Sequence, residues 1–486
     1  MTTTYVPPLN QIALSVIDLR RTERWFREGF GLLPAGGGRA MLRGPLPSMI
    51  QGLPKAASTV WWLVGRNPWF QLELFQFESP MARLMPADFR PCDTGYTRLG
   101  LWVADFDLTL INLSRLGTTP LSPPLGQLGA RRACVRSPDG VYVEIMEDDP
   151  LAGKAAGERS TCQAAVRSVT LSTPHFDDGC ALMRDGVGLR ASAVQLHQPE
   201  HEALWGLSGA RLKSAVFDGG DVLVEVVSYI DPPGKPWPQG YRVSDQGILN
   251  IAFGARNKRD HMAVYDRLYA FGARPNCRPI HIPGSGVVYV NDKHGFSVEV
   301  LWMKPGKGDR EWGFEPLPLA KRPQPDTHSA TGRVQINASI ERVWDVISDH
   351  EGMSNWCGFS PVSMIRAGDV TPTGYGSERI MHGPPGIGVV VEQVIGEQAQ
   401  QLQRYRVIKG SPFICHQGEI RLRQCGKGTE LEWTIRFRSR IPGIGWLFQR
   451  ILSGKLPAML HQQLKTYAEA SGRQTSPVQS INRKQA

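Results

Sequence analysis

Four stretches in the first three hundred residues repeat one pattern of apolar and polar positions. In each, a short apolar strand is followed by Asp or Asn, an amphipathic helix and a Gly. Asp and Asn at a helix start accept its free amide hydrogens, and Gly supplies the left-handed residue that ends a helix. The four copies read QIALSVIDLRRTERWFREGFGL, RLGLWVADFDLTLINLSRLG, SVTLSTPHFDDGCALMRDGVGL and NIAFGARNKRDHMAVYDRLYAFGA.

Each copy closes on an alternating strand that contains a glutamate. The strands are FQLELF, VYVEIM, VLVEVV and FSVEVL, with Glu73, Glu144, Glu225 and Glu299 respectively. Alternation places every second side chain on one face of a sheet. From the order of the copies we predict that one and two form a first module, residues 5–152. Copies three and four form a second, residues 160–304, after a polar join.

The chain changes character after Trp302. Residues 305–329 are rich in Pro and charge, which predicts a linker. RVQINAS then predicts a strand, with Ser339 capping a helix and alternating strands following. A long final helix carries Leu456, Leu460 and Leu464 on one face. We predict an α+β fold with a third domain over 330–471, and a disordered polar tail over 472–486.

The repeat resembles the vicinal-oxygen-chelate superfamily, which includes glyoxalase I, bleomycin-resistance proteins and extradiol ring-cleaving dioxygenases. The resemblance covers about residues 5–304 and implies paired βαβββ units with a cupped sheet. It also implies a divalent metal held on the first and last strands, typically by His or Gln and then Glu. The matching positions in this chain are Gln11, Glu73, Arg98 and Glu144 in the first module, and Ser168, Glu225, Asn250 and Glu299 in the second.

These positions depart from the metal-binding pattern. None of the four first-strand positions is His, whereas iron and zinc sites use imidazole or thiolate ligands. Arg98 keeps its proton and is expected to pair with Glu144 or Glu73. Glu225, Asn250 and Glu299 offer only oxygen, which suits a weakly held magnesium or manganese or else a hydrogen-bonded polar core. We therefore favour no metal cofactor. Four histidines fall on predicted turns or helices, where a surface position is expected: His175, His197, His201 and His261.

The C-terminal region resembles the START/Bet v1-like superfamily, and within it the polyketide cyclase/dehydrase-type (SRPBCC) proteins. The stretches INASIERVWDVISDHEGMSNW, GYGSERIMHGPPGIG and GTELEWTIRF carry the likeness. It implies a helix-grip domain, in which a curved sheet wraps the last helix and leaves a hydrophobic cavity between them.

Strand alternation assigns faces in this region. In ICHQGEIRLR it places His416 with Ile420 on the inner face and Gln417 on the solvent face. Tyr405 also projects inward. An inward histidine can act as acid or base and a tyrosine can hydrogen-bond a ligand carbonyl. The alternative is that both satisfy each other or the backbone. The resemblance places Arg379 and His382 near the cavity mouth.

Composition narrows the functional classes. The net charge is +10, but no dense Lys/Arg run argues for nucleic acid. No apolar run is long enough to span a membrane, and the N-terminal residues lack a signal-peptide pattern. The eight cysteines are scattered, which fits reduced thiols in a cytoplasm. The apolar stretch GIGWLFQRILSGKLPAML predicts a helix over the cavity rather than one on a membrane surface.

These observations predict an enzyme of small-molecule metabolism that acts on a hydrophobic, oxygenated, polyketide-like substrate without a metal. The reaction is cyclisation, dehydration, isomerisation or a related carbon–carbon rearrangement. One alternative is a non-catalytic carrier of an apolar ligand, and another is a metal-dependent extradiol-type dioxygenase. We expect each cupped sheet to be completed either within one chain or across a homodimer. Catalytic candidates are Glu144, Arg98, His416 and Tyr405, and ligand-binding candidates are Gln11, Glu73, Trp102, Trp433, Arg379 and His382.

Overall fold

A computed structural model describes residues 5–152, 157–319, 322–384 and 388–471. The chain forms two compact units, Met1–Pro323 and Gln324–Ala486. The predicted disordered tail, 472–486, lies outside the described residues.

The described part of the first unit contains sixteen strands and six α-helices. The strands are β1 (Leu9–Ser15), β2 (Leu33–Gly38), β3 (Ala57–Val64), β4 (Gln71–Ser79), β5 (Gly95–Val103), β6 (Arg132–Arg136), β7 (Tyr142–Met146), β8 (Ala164–Ser172), β9 (Arg190–Ala191), β10 (Arg211–Asp218), β11 (Leu223–Asp231), β12 (Gly247–Ala255), β13 (Arg274–Pro275), β14 (Ile280–Ile282), β15 (Ser285–Asn291) and β16 (Ser297–Met303). The helices are α1 (Leu19–Phe30), α2 (Pro45–Gln51), α3 (Phe106–Arg115), α4 (Phe176–Ala181), α5 (Lys258–Phe271) and α6 (Lys307–Glu311).

Helices α1 and α5 of the repeat begin and end where the sequence pattern places them. Asp18 accepts from the backbone of Arg21 at the start of α1, and Gly31 closes that helix at φ +70°. Asn257 and Gly272 do the same for α5. The apolar side chains of these helices pack on the sheet face opposite the glutamates, which forms the main core of the first unit.

The pairing of the repeat copies differs from our prediction. Strand β1 of copy one lies between its own β4 and the β12 of copy four, and β5 of copy two pairs with the β8 of copy three. Copies one and four therefore lie together in one half of a continuous sixteen-stranded sheet, and copies two and three lie together in the other half. Each first strand has one edge taken by the closing strand of its own copy. The sequence shows that the other edge needs a partner but does not specify which copy supplies it.

The predicted linker is partly folded against the first unit. It contains α6, and the backbone N–H of Leu317 donates to Pro34 at 2.8 Å. The indole of Trp61 donates to the carbonyl of Pro323. The described residues of this segment up to Pro323 therefore belong to the first unit, and the division between the units follows Pro323.

The second unit is a seven-stranded antiparallel sheet with helices, in the order β17-β23-β22-β21-β20-β19-β18. Its strands are β17 (His328–Ile336), β18 (Val362–Arg366), β19 (Glu378–His382), β20 (Val389–Gln398), β21 (Leu402–Lys409), β22 (Phe413–Cys425) and β23 (Gly428–Ser439). Its helices are α7 (Ile340–Ser348), α8 (Gly445–Met459) and α9 (Lys465–Ser471), with a π-helical turn, Leu460–Leu464, between the last two.

The last helix of the second unit lies close against the sheet at Gly332. A Cβ at this position would stand 2.8 Å from Leu460 and 3.1 Å from Leu456. Only glycine allows this approach, which buries the predicted apolar face of the helix, including Leu464. The predicted α+β class, with βαβββ copies followed by a helix-grip domain, is confirmed.

Candidate functional sites in two cups and the C-terminal interior

Four strands of copies one and four bring together Gln11, Glu73, Asn250 and Glu299, which we call the first cup. Gln11 Nε2 donates to an oxygen of Glu73, and to Oε2 of Glu299 at 3.5 Å. Asn250 Nδ2 donates to the same Glu299 oxygen at 3.3 Å, and Trp62 Nε1 donates to Glu73 Oε1 at 2.9 Å. The two carboxyl groups therefore share one amide donor and lie side by side.

Both carboxyl groups of the first cup hold protons more tightly than usual. Burial raises the pKa of Glu73 to about 7. Burial, followed by repulsion from Glu73, raises the pKa of Glu299 well above its ordinary value. Tyr289 hydrogen-bonds Glu299. At neutral pH the pair thus offers one protonated carboxyl and one that exchanges its proton readily, which is an acid and a base in one place.

The surroundings of the first cup are apolar. Trp62 and Tyr289 belong to a buried cluster on the concave face of the sheet, and their hydrogen-bonding groups reach the carboxyls. The other buried side chains of this cluster are Ala13, Ala35, Leu53, Ala56, Val60, Val64, Phe75, Phe77 and Leu249. Aromatic and apolar surroundings with a few converging polar groups are typical of small-molecule sites.

The first cup also fits a hard cation. Its donors are two carboxylates and two amides, and Asn250 Oδ1 is buried without a hydrogen-bond partner among the described residues. If the terminal amide groups of Gln11 and Asn250 rotated about their last side-chain bonds, their oxygens rather than their nitrogens would lie beside the carboxylates. Oxygen donors suit magnesium or manganese, whereas the set offers no imidazole or thiolate for iron or zinc.

The second cup, on copies two and three, contains Arg98, Glu144 and Glu225 and is filled by His197. The imidazole bridges the two carboxylates, with Nε2 2.8 Å from Glu144 Oε2 and Nδ1 2.7 Å from Glu225 Oε1. Arg98 Nη2 donates to Glu225 at 2.8 Å, and Arg132 Nη1 donates to Glu144 at 2.9 Å. Three cationic side chains thus surround two carboxylates where the vicinal-oxygen-chelate resemblance implies a metal.

The charges of the second cup keep every member ionised. Burial alone would raise the pKa of Glu144, but the charges of His197, Arg132 and Arg98 hold it well below its usual range. The pKa of Glu225 is lowered to about 2, because His197 and Arg98 outweigh burial. Burial would lower the pKa of His197, but Glu225 and Glu144 raise it to about 9. A cation added to this cup would meet positive charge, so the residues do not fit a metal.

We expect the stability of the first unit to decline on both sides of mildly acidic pH. The raised pKa of His197 stabilises the fold fully below its usual value, 6.5, and this contribution is lost as pH rises through about 9. The lowered pKa of Glu225 stabilises the fold above 4.5, and that contribution is lost as pH falls toward about 2. Urea titrations from pH 6 to 9 should show a loss of about 3 kcal/mol.

The control for this pH dependence is His201→Ala, which removes a neighbouring imidazole that does not bridge the carboxylates. The variant should retain the decline, whereas His197→Ala should lose the part between about pH 7 and 9 and keep the separate loss below about pH 7 that follows the raised pKa of Glu73. An equal alkaline slope in wild type and His197→Ala would contradict the assignment.

Several predictions about the second cup are wrong. Arg98 pairs with Glu225, not with Glu144 or Glu73, because β5 lies beside copy three. His197 is not a surface residue, and His261 is fully buried with Nε2 3.1 Å from the Val300 carbonyl. The sequence signal that was missed is the apolar pair Leu196 and Trp205, both buried, which anchor the ends of the polar loop that carries His197.

Two further site candidates lie at the edge of the second cup. Thr170, not Ser168, donates to Glu225, at 2.7 Å. The indole of Trp102 donates to the Glu147 carbonyl at 3.1 Å, and Arg66 lies over its ring. The Trp102 side chain therefore contacts residues other than the charged residues of the second cup.

A third polar group lies in the interior of the second unit. Arg379 Nε and Nη2 donate to Glu392 Oε2 at 2.9 and 2.7 Å, and both side chains are buried. Trp433 Nε1 donates to the Tyr405 hydroxyl at 3.0 Å, and the Arg379 guanidinium lies 5.4 Å from the Tyr405 ring centre. His350 stands near enough for the charge of Arg379, after burial, to lower its pKa to about 3.

Buried polar atoms in this C-terminal interior have no protein partner among the described residues. They are both ring nitrogens of His350, the indole nitrogen of Trp356 and Nη1 of Arg379. Each unpaired buried group is unfavourable by about 1–3 kcal/mol. Neutral His350 offers one donor and one acceptor, and Trp356 and Arg379 offer donors, so a water or a ligand with hydroxyl groups would satisfy these atoms.

His416 lies at an irregular point of β22, where the alternation that we used to place it inward does not hold. A bulge between Ile414 and Gln417 breaks the strand alternation, and Cys415 has φ +50°. Gln417 is consequently buried, and half-buried His416 contacts Ser411 Oγ at 3.0 Å. Tyr405 is inward, as expected, and bonds Trp433 rather than His416. His382 is exposed at the end of β19.

Comparisons with known proteins follow the same division of the chain. Residues 327–471 match the family described as polyketide cyclase / dehydrase and lipid transport. The match agrees with the predicted SRPBCC resemblance of this region. None of the curated proteins matches the chain.

Solved structures that resemble parts of this chain include a glyoxalase I and a START superfamily protein. A mutant of glyoxalase I from Zea mays is 16% identical with TM-score 0.41, covering 61% of this chain and 94% of that one. A START superfamily protein from Mycobacterium smegmatis is 19% identical with TM-score 0.27, covering 30% of this chain and 99% of that one. Among the described residues, no helix is long and apolar enough to cross a membrane.

Proposed function

We propose that this chain is an enzyme of small-molecule metabolism that transfers protons on a hydrophobic, oxygen-bearing substrate bound in the first cup. The pair Glu73 and Glu299 carries this proposal. Both carboxyls are buried against aromatic walls, burial raises both pKa values, and that of Glu73 is about 7. General bases work best when their pKa lies near the operating pH.

The residues of the first cup suggest a division of roles. Glu73 removes a proton from carbon beside a substrate carbonyl, and Glu299 gives its proton to the carbonyl oxygen, which forms an enol. Return of a proton to a different carbon completes an isomerisation. Loss of a neighbouring hydroxyl as water gives dehydration, and attack of the enol on a second carbonyl gives cyclisation. Gln11 and Trp62 keep Glu73 in place through their hydrogen bonds.

The same residues would hold a divalent cation if the enzyme uses one. Glu73 and Glu299, with the amide oxygens of Gln11 and Asn250, would be its ligands. A bound cation would polarise the substrate carbonyl. The lack of imidazole in this donor set disfavours the alternative of an extradiol-type dioxygenase.

The C-terminal unit favours a second candidate function, the binding or carriage of an apolar ligand. The family matched by residues 327–471 includes lipid transport in its description. Unpartnered polar atoms of His350, Trp356 and Arg379 would recognise hydroxyl or carbonyl groups on such a ligand. A homodimer and a cytoplasmic location stay predictions.

We expect Glu73→Gln to lower proton exchange by about 10²–10⁴-fold, because Gln keeps the shape of the side chain but cannot accept a proton. The measurement incubates aryl and polyketide-like ketones with untagged protein in D2O and follows deuterium incorporation by mass spectrometry. Runs with chelator and with added magnesium or manganese separate a metal-independent reaction from a metal-dependent one.

Exposed Glu28→Gln, on α1, is the matched control and should leave exchange unchanged. Exchange that survives in Glu73→Gln would contradict the proposed base. Retention of ketones by wild-type protein in native mass spectrometry, without exchange, would favour binding and carriage instead.

A further inference from the structure

Two histidines and an aspartate converge on the surface of the first unit, at positions that neither cup uses. We define His175, Asp178 and His294 as the His–Asp patch. Their ligand atoms all lie within 4.8 Å of one another. His294 Nε2 is 2.8 Å from Asp178 Oδ2, and the rings of the two histidines stack with centroids 4.0 Å apart.

The backbone near the His–Asp patch is held by its own hydrogen bonds. Thr173 Oγ1 accepts from the backbone N–H of His175 at 3.1 Å. Asp292 Oδ1 accepts from the backbone N–H of His294 at 2.9 Å, and Trp237 Nε1 donates to the His294 carbonyl at 3.0 Å. These hydrogen bonds already fix the backbone that carries the patch, so binding a ligand with all three side chains would require little further loss of backbone freedom.

We propose that the His–Asp patch binds one borderline divalent cation of the zinc type. Two imidazole nitrogens and one carboxylate oxygen form the set of three protein ligands found in open zinc sites. Tetrahedral ligands at zinc–nitrogen distances stand about 3.4 Å apart. The ligand atoms of exposed His175 and partly exposed Asp178 and His294 lie within 4.8 Å of one another, and rotation of the side chains would have to bring them to that spacing.

Lys293 occupies part of the place that the cation would take. Its Nζ lies 2.9 Å from Asp178 Oδ1, and the lysine side chain is 68% exposed. An exposed ion pair of this kind is worth less than about 1 kcal/mol. Zinc therefore displaces the ammonium easily, and removal of Lys293 favours the metal.

A cation at the His–Asp patch would tie two distant parts of the first unit together. His175 and Asp178 lie directly after β8 and in α4, whereas His294 lies in the turn between β15 and β16. The fourth coordination position faces solvent and is open to water or to an anionic group.

The test titrates cobalt, as a spectroscopic substitute for zinc, into untagged full-length protein stripped with chelator. Wild type should bind one equivalent with visible d–d bands and without a thiolate charge-transfer band. His294→Ala and Asp178→Asn should weaken binding at least about tenfold, since loss of even a hydrogen-bond partner of a ligand weakens metal sites by that factor. Lys293→Ala should bind more tightly than wild type.

Matched controls exclude other cobalt ligands. His201→Ala and Cys425→Ser remove a histidine and an exposed thiol elsewhere and should bind as wild type does. Circular dichroism in chelator verifies that each variant is folded. Unchanged affinity in both His294→Ala and Asp178→Asn, or a thiolate band that disappears in Cys425→Ser, would overturn the proposal.

Discussion

Replacing His197 by Ala is expected to lower the free energy of unfolding by about 3–5 kcal/mol, the usual result of removing one partner from a buried ionic group. Glu144 and Glu225 are 1% and 2% exposed and both contact this imidazole. Without it, two buried carboxylates share only Arg98 and Arg132. Urea unfolding at pH 6, where His197 is fully protonated, measures the difference.

Two comparison variants separate charge from packing in this experiment. His201→Ala removes a half-buried imidazole of the same loop and should change stability by less than about 1 kcal/mol. The double variant His197→Ala, Glu144→Gln should recover part of the loss, because one of the uncompensated charges is gone. A loss in the double variant equal to the sum of the single losses would instead indicate packing.

The loop that carries His197 pairs the charged groups of the second cup, which favours the first cup as the site of the reaction. The loop that carries it also supplies Trp205, whose ring lies 3.8 Å from the Arg98 guanidinium, and the Leu196 carbonyl, which accepts from Arg132 at 3.0 Å. Every charged group in the second cup therefore has protein partners. In the first cup the two glutamates have none that is cationic among the described residues, so their protons remain available to a substrate.

Local patterns in the sequence predict the elements of this chain well. The apolar alternation of FQLELF and FSVEVL places Glu73 and Glu299 on the concave face, because side chains alternate strictly along a strand. Caps such as Asp18 and Gly31 mark the ends of α1, because their effects act within one helical turn. These predictions depend only on residues that are close together in the sequence.

The contents of each site depend on contacts between distant residues, and the sequence pattern did not predict them. Gln11 lies near Asn250 and Glu299 because β1 pairs with β12. The strands that could form this pairing have similar sequence patterns in all four copies, so the pattern does not specify which two strands pair. His197 reaches the second cup from a loop that has no periodicity. The bulge at Cys415 shifts His416 by one position, and a single inserted residue of this kind leaves no mark in the hydrophobic pattern.

Removing Glu392 should destabilise the second unit more than removing Arg379, although each change breaks the same buried pair. In Glu392→Leu the Arg379 guanidinium stays charged, because it cannot lose its proton, and we expect a loss of about 3–5 kcal/mol. In Arg379→Met the remaining Glu392 can take up a proton, since burial already raises its pKa. The smaller loss in Arg379→Met should shrink further as pH falls. Urea unfolding of both variants at pH 5 and 8 measures these differences.

The double variant Arg379→Met, Glu392→Leu tests whether the buried ion pair serves ligand recognition. Replacing a whole buried ion pair by apolar side chains is often neutral or stabilising, so this variant should be about as stable as wild type. If it then fails to retain an oxygenated apolar ligand in native mass spectrometry, the pair serves recognition, with Arg379 Nη1 as the donor that lacks a protein partner. If it retains the ligand as wild type does, the Arg379–Glu392 pair has no part in binding.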